Sequence, residues 1–135
     1  MEASESMAQD VGIEGALLQP LAVIPTPGGP VMHMLRPESA LLPDFHQCFG
    51  EIYFSEVLPG HVKAWKRHTR QVQHFAVPSG LLRIVLYDDR QGSATKGVLC
   101  ELALGRPDNY ALLRIPTGVW YGFAAMGDAP ALICN

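Results

Sequence analysis

The chain has 135 residues, with 10 lysines and arginines against 13 aspartates and glutamates, and a formal net charge of −3. Hydrophobic residues make up 48% and charged residues 17%, enough apolar material for one compact core and too little charge for a disordered chain. The acid excess excludes the concentrated basic face that nucleic acid or an anionic membrane surface requires, so neither is an expected partner.

Residues 1–15 are polar, small and weakly patterned, which fits either a frayed leader or an arm packing on a second subunit. The opening Met-Glu-Ala-Ser-Glu-Ser is acidic where a secretory signal is positive, so the expected location is the cytoplasm. The uncharged run from Gly15 to Leu35 carries Pro20, Pro25, Pro27 and Pro30, which excludes a lipid-spanning helix. Strands are predicted at Ala22–Ile24, Val31–Arg36, Phe49–Leu58, His61–Arg67 and Gln73–Val77. Further strands follow at Leu81–Tyr87, Val98–Leu104, Tyr110–Ile115, Val119–Ala124 and Ala131–Cys134. Turn chemistry separates them, as at Pro59-Gly60, Pro78-Ser79-Gly80, Asp88 to Gly92, Pro116-Thr117-Gly118 and Gly127 to Pro130. Ten short strands with no 3.6-residue apolar period predict one all-β domain over residues 1–135, a sandwich or barrel. Strict alternation over His61–His68 would put Ala64, Lys66 and His68 on one face and Lys63, Trp65 and Arg67 on the other. Cys48, Cys100 and Cys134 are far apart and odd in number, so they read as separate thiols.

Gly60 precedes Lys66, His68, Gln73 and Gly80, and Pro116, Gly118 and Tyr121 follow with related spacing. This resembles the two-part signature of the cupin superfamily, jelly-roll β-barrels whose motif positions usually give three His and one Glu to a metal. Here those positions hold Lys66, His68, Gln73 and Tyr121. A protonated ammonium cannot coordinate, Gln is a weak ligand and Tyr a rare one, so no transition metal and no cofactor are expected. A metal-dependent cupin dioxygenase fares worst on that ligand count.

Four segments resemble the dTDP-4-dehydrorhamnose 3,5-epimerase family more closely: Phe49-Gly50-Glu51-Ile52-Tyr53-Phe54-Ser55, Gly60–Lys66, Tyr87–Gly97 and Ile115–Phe123. The resemblance implies a metal-free cupin that removes a proton beside the ketone of a nucleotide-linked 4-keto-6-deoxysugar, in deoxysugar or surface-polysaccharide biosynthesis. It also implies a homodimer. The family's base falls on Lys66. The related dTDP-sugar 3,4-ketoisomerases carry a His-x-His pair whose second member falls on His68, and the Gln that follows falls on Gln73. His68, neutral near pH 7 without remodelling, is then the base, Tyr121 the acid on the opposite face, and Lys66 a cation for the enolate or a phosphate. Lys63, Arg67, Arg70 and Arg36 are candidate diphosphate partners, Gln73 a substrate contact, and Trp65, Trp120, Phe54 and Phe75 read as core aromatics by default, with a thymine stack or a dimer seam as the alternatives. Asp88 and Arg90 match the family's Asp-x-Arg corner, read as structural.

Gln73, Ile84 and Tyr121 depart from the family's Lys, Asp and His, and the chain stops at Asn135 before the residues carrying the family's tyrosine acid. These departures define the alternative: a non-catalytic cupin that binds a sugar nucleotide or a partner protein.

Overall fold

The computed structural model describes residues 7–43 and 50–135. Twelve strands occur among the described residues, in chain order β1 (Gln9–Asp10), β2 (Leu17–Pro20), β3 (Val23–Ile24), β4 (Val31–Met32), β5 (Phe54–Val57) and β6 (Val62–Lys66). They continue as β7 (Gln73–Ser79), β8 (Leu81–Asp88), β9 (Leu99–Gly105), β10 (Ala111–Ile115), β11 (Val119–Ala125) and β12 (Ala131–Cys134). There is no helix among these residues, hence none long and apolar enough to cross a membrane.

The strands form a six-stranded sheet, β1-β2-β10-β7-β12-β5, a four-stranded sheet, β6-β11-β8-β9, and the small β3-β4 ribbon. Every pairing is antiparallel. The expected barrel is not closed: no ladder joins the six-stranded to the four-stranded sheet. The two sheets share one apolar interior instead, the usual answer to sheets that each have one greasy face. Alternation explains it. Leu82, Ile84 and Leu86 of β8 are fully buried between partly or fully exposed neighbours, and Phe75, Val77, Leu113, Ile115, Tyr121, Phe123 and Ile133 complete the interior from the other strands.

The outer face of the larger sheet is covered as well. Leu41, Ala76, Tyr110 and Leu112 form a second cluster against Leu21, Met32, Met34 and Leu35. There His74 Nε2 lies 2.8 Å from the Leu41 carbonyl and Tyr110 donates to the His33 carbonyl at 2.7 Å.

Two strands were not expected. β1 lies in the segment read as a leader or arm and β2 just beyond it, yet Ile13 within that segment and Ala16 after it are fully buried in the main core. From residue 7 that segment packs on its own chain; residues 1–6 lie outside the described residues. β7 runs on to Ser79, through a proline assigned to a turn, because the β12 pairing slips between Leu132 and Cys134 and so needs no amide from Pro78. Cys48 and the first residue of the predicted strand Phe49–Leu58 lie outside the described residues; Cys100 and Cys134 are free thiols.

Candidate active site

The site is built where β6 meets β11. Tyr121 pairs with Lys66 and Phe123 with Lys63, so the single residue Gly122 of β11 opposes two of β6, Ala64 and Trp65: a bulge. Gly122 makes room for it, since a Cβ there would sit 2.6 Å from the Ala64 Cβ. The bulge overturns the strict alternation. Directly opposed side chains share a face, so Lys63 and Lys66 both lie on the face of buried Tyr121 and Phe123, while Ala64 covers Gly122 on the other. Lys63 Nζ then donates to the Glu56 carbonyl at 2.7 Å and lies 3.5 Å from the Ser55 hydroxyl, both on β5 at the edge of the opposite sheet.

His68 follows β6 and turns the same way. Its carbonyl accepts the Gly118 amide at 2.8 Å, which fixes the backbone, and its Nε2 lies 2.9 Å from the Tyr121 hydroxyl. The rings stack at 5.9 Å, and the edge of Phe75 meets Tyr121 at 5.3 Å, so packing holds the phenol in one orientation. Burial, and then the Lys66 cation, lower the His68 pKa from 6.5, which keeps the imidazole neutral near pH 7. Burial, and then the Tyr53 phenol, push Tyr121 up to about 12, so its hydroxyl keeps its proton.

The facing wall comes from the larger sheet. Gln73, 3% exposed, lies on the inward face of β7 with Phe75. The Asn135 carboxamide donates through Nδ2 to Gln73 Oε1 and to the Tyr53 hydroxyl, the latter at 2.9 Å. Arg70 borders the cleft lined by Tyr53, Gln73 and Asn135. Among the described residues no three His, Cys, Asp or Glu side chains come together, and the motif positions offer one imidazole beside an ammonium, an amide and a phenol.

His68, Tyr121, Lys66 and Lys63 thus lie on one face of the smaller sheet, opposite buried Gln73, with the two lysines exposed at its rim. Two candidate substrate contacts do not join them. The Arg67 guanidinium sits 4.7 Å over the Trp120 ring, whose indole donates to Asp89 at 3.1 Å. Next to Lys66 in the strand, Arg67 takes the outer face by simple alternation. Arg36 lies in the cover of the larger sheet, 3.5 Å from Glu38. Trp65 is 52% and Phe54 66% exposed, so of the four aromatics read as core by default only Phe75 is fully inside, with Trp120 half-buried. The Asp88–Arg90 corner has the structural character expected. Asp88 is fully buried and accepts from Arg90 Nε and Nη2, both at 2.9 Å, and from Ser93 and Thr95, both at 2.6 Å. Arg90 also donates to the Glu14 carbonyl at 2.6 Å, tying the N-terminal segment down.

Tyr53 and Asn135 are the residues that sequence reading missed. Period-two alternation with the inward Val57 would have placed Tyr53 and Ser55 on the core face. Nothing comparable singles out Asn135, which meets Gln73 and Tyr53 only through strand pairing.

Similar proteins include a solved dTDP-sugar isomerase and a curated sugar epimerase. A dTDP-sugar isomerase of Desulfovibrio desulfuricans G20 is 60% identical, with a TM-score of 0.88 over 95% of this chain and 79% of that one. NovW of Streptomyces spheroides, a 4-keto-6-deoxy sugar epimerase, shares the fold at a TM-score of 0.80 and 20% identity, over 98% of this chain and 68% of its own. A probable low-salt glycan biosynthesis epimerase, Agl13 of Haloferax volcanii, is 43% identical over 84 residues, 62% of this chain and 53% of that protein. The chain spans about half the length of the curated relatives it matches. No family model matches it.

Proposed function

The chain belongs to the family of dTDP-sugar isomerases and dTDP-4-dehydrorhamnose 3,5-epimerases, and from that premise we propose that it is a metal-free epimerase or isomerase of a dTDP-linked 4-keto-6-deoxysugar. The reading extends to a cytoplasmic, cupin-type jelly roll working as a homodimer in deoxysugar or surface-polysaccharide biosynthesis. Exposed Phe54, Val62 and Trp65 on the two neighbouring edge strands support the second copy.

The observation that carries the reading is the 2.9 Å contact between His68 Nε2 and the Tyr121 hydroxyl, beside a lysine and inside the fold. The ketone makes the neighbouring C–H acidic. His68 takes that proton, the C–H electron pair forms the enolate double bond, and the carbonyl electrons move onto oxygen, where the Lys66 cation stabilises the charge. Return of a proton to the same carbon from the other face inverts it; return to the former carbonyl carbon, with the neighbouring hydroxyl passing its proton to the oxygen left there, moves the ketone. With Nε2 committed to Tyr121, Nδ1 is the atom that receives the proton, which requires the tautomer in which Nε2–H donates to the phenol oxygen. Tyr121 lies on the base's own side of the sugar. We therefore assign it to orienting His68, in place of the acid on the opposite face.

For the diphosphate, Arg70 is the favoured partner because it borders the cleft, with Lys63 retaining one N–H beyond its two partners on β5. Gln73 faces the sugar. The test is incubation with a dTDP-4-keto-6-deoxyhexose in deuterium oxide. Deuterium at carbon 3 or 5, lost in His68→Asn, is the expected result; binding without labelling would turn the reading into that of a sugar-nucleotide binder.

A further inference from the structure

We propose that the Asn135 carboxamide sets the hydrogen-bond polarity of the wall facing His68, holding Tyr53 and Gln73 as donors toward the oxygen that becomes negatively charged in the reaction. The inference rests on the proposed carbon-acid chemistry and adds to it two donors and a residue that positions them.

The backbone amide of His74 can only donate, so the Asn135 atom 3.3 Å from it is the carboxamide oxygen. That contact fixes the orientation of the amide, and Nδ2 points at Tyr53 and Gln73. An amide nitrogen accepts nothing. The Tyr53 oxygen must therefore accept from it at 2.9 Å, which leaves the phenolic hydrogen to be donated elsewhere. By the same logic Gln73 accepts through Oε1 and turns Nε2 away, and that nitrogen makes no hydrogen bond to any other described residue. The unit is rigid, because Asn135 and Tyr53 also exchange two backbone hydrogen bonds, at 2.9 and 3.0 Å.

The larger sheet thus presents two donors without partners among the described residues, and the smaller sheet a neutral imidazole. Phe75, on the inward face of β7 with Gln73, meets the Tyr121 ring edge-on at 5.3 Å, so the two sheets face one another there. An enolate forming between them meets a proton acceptor on one side and hydrogen-bond donors on the other, placed before the charge develops.

Asn135→Asp tests this, because a carboxylate only accepts. Tyr53 and Gln73 must then turn their hydrogens to it, and both donors leave the pocket. The expected result is a fall of about 100-fold or more in the rate of solvent-deuterium incorporation, with KM changed less than about threefold. Tyr53→Phe, at a position 40% exposed where folding survives, should lose a comparable factor, and the double variant little more than either single one. A readout free of substrate is the Asn135 side-chain amide in nitrogen-15 NMR: its protons exchange slowly with water in the unaltered protein and faster in Tyr53→Phe. Rapid exchange in the unaltered protein, a full rate in Asn135→Asp, or losses that multiply would overturn the inference. An unaltered protein that shows slow amide exchange and no labelling of the sugar would instead sink the proposed reaction.

Discussion

The Lys63 ammonium on β6 donates to the Glu56 carbonyl on β5 at 2.7 Å, across the open seam between the two sheets. No backbone ladder closes that seam, and the lysine is the cross-link. Lys63→Met keeps the stem and removes the donor. It should cost about 1 kcal/mol, the net worth of one such hydrogen bond at an exposed position, read as a lower urea midpoint at constant slope. Amide exchange in β5 should quicken with it; unchanged exchange would mean the seam is held by packing alone.

The pH dependence follows from the environment of His68. Burial first, and then Lys66, lower its pKa from 6.5, and the neutral form is the base. Protonation therefore switches the reaction off as pH falls, and the acid limb of kcat/KM should lie below pH 6.5. Lys66→Met removes the cationic part and leaves the burial part, so the limb should move up toward 6.5 without passing it. A pH–rate profile checks both statements, and an unmoved limb would show that the ammonium does not act on the imidazole.

Asp88 is expected to govern acid stability. Its carboxylate, bonded first of all by Arg90 and also by Ser93 and Thr95, is held well below the usual carboxylate range. A depressed folded-state pKa means that the stabilisation is complete above the unfolded value, near 3.8, and fades as pH falls below it. Asp88→Asn should cost about 3–5 kcal/mol near neutrality, because the partly buried Arg90 loses its partner. It should also flatten the decline below pH 4; urea unfolding at several pH values reads both.

Gly122→Ala should strike the bulge. The new Cβ falls 2.6 Å from the Ala64 Cβ, and relieving that contact should cost about 1–3 kcal/mol. Adding Ala64→Gly should restore much of the loss, a coupling that a double-mutant cycle measures directly. Losses that simply add would show that the crowding lies elsewhere.

The sequence by itself determined the strands from β3 onward, because apolar runs and turn chemistry are local properties of the chain. Through the family resemblance it also pointed to His68, Tyr121, Lys66 and Gln73 as candidates, and it marked the Asp88 corner, whose partners lie within seven residues. Only the tertiary structure decided which face each group occupies. One bulge, made possible by a glycine on the neighbouring strand, turns Lys63 inward and breaks an alternation that no local rule could correct. The Tyr53–Asn135–Gln73 chain joins residues 62 and 82 positions apart, a meeting set by which strands pair and in what register. For the same reason the N-terminal strands stayed illegible: β1 and β2 are short, polar or proline-bearing, and become strands because β10 offers β2 an edge and β2 offers one to β1.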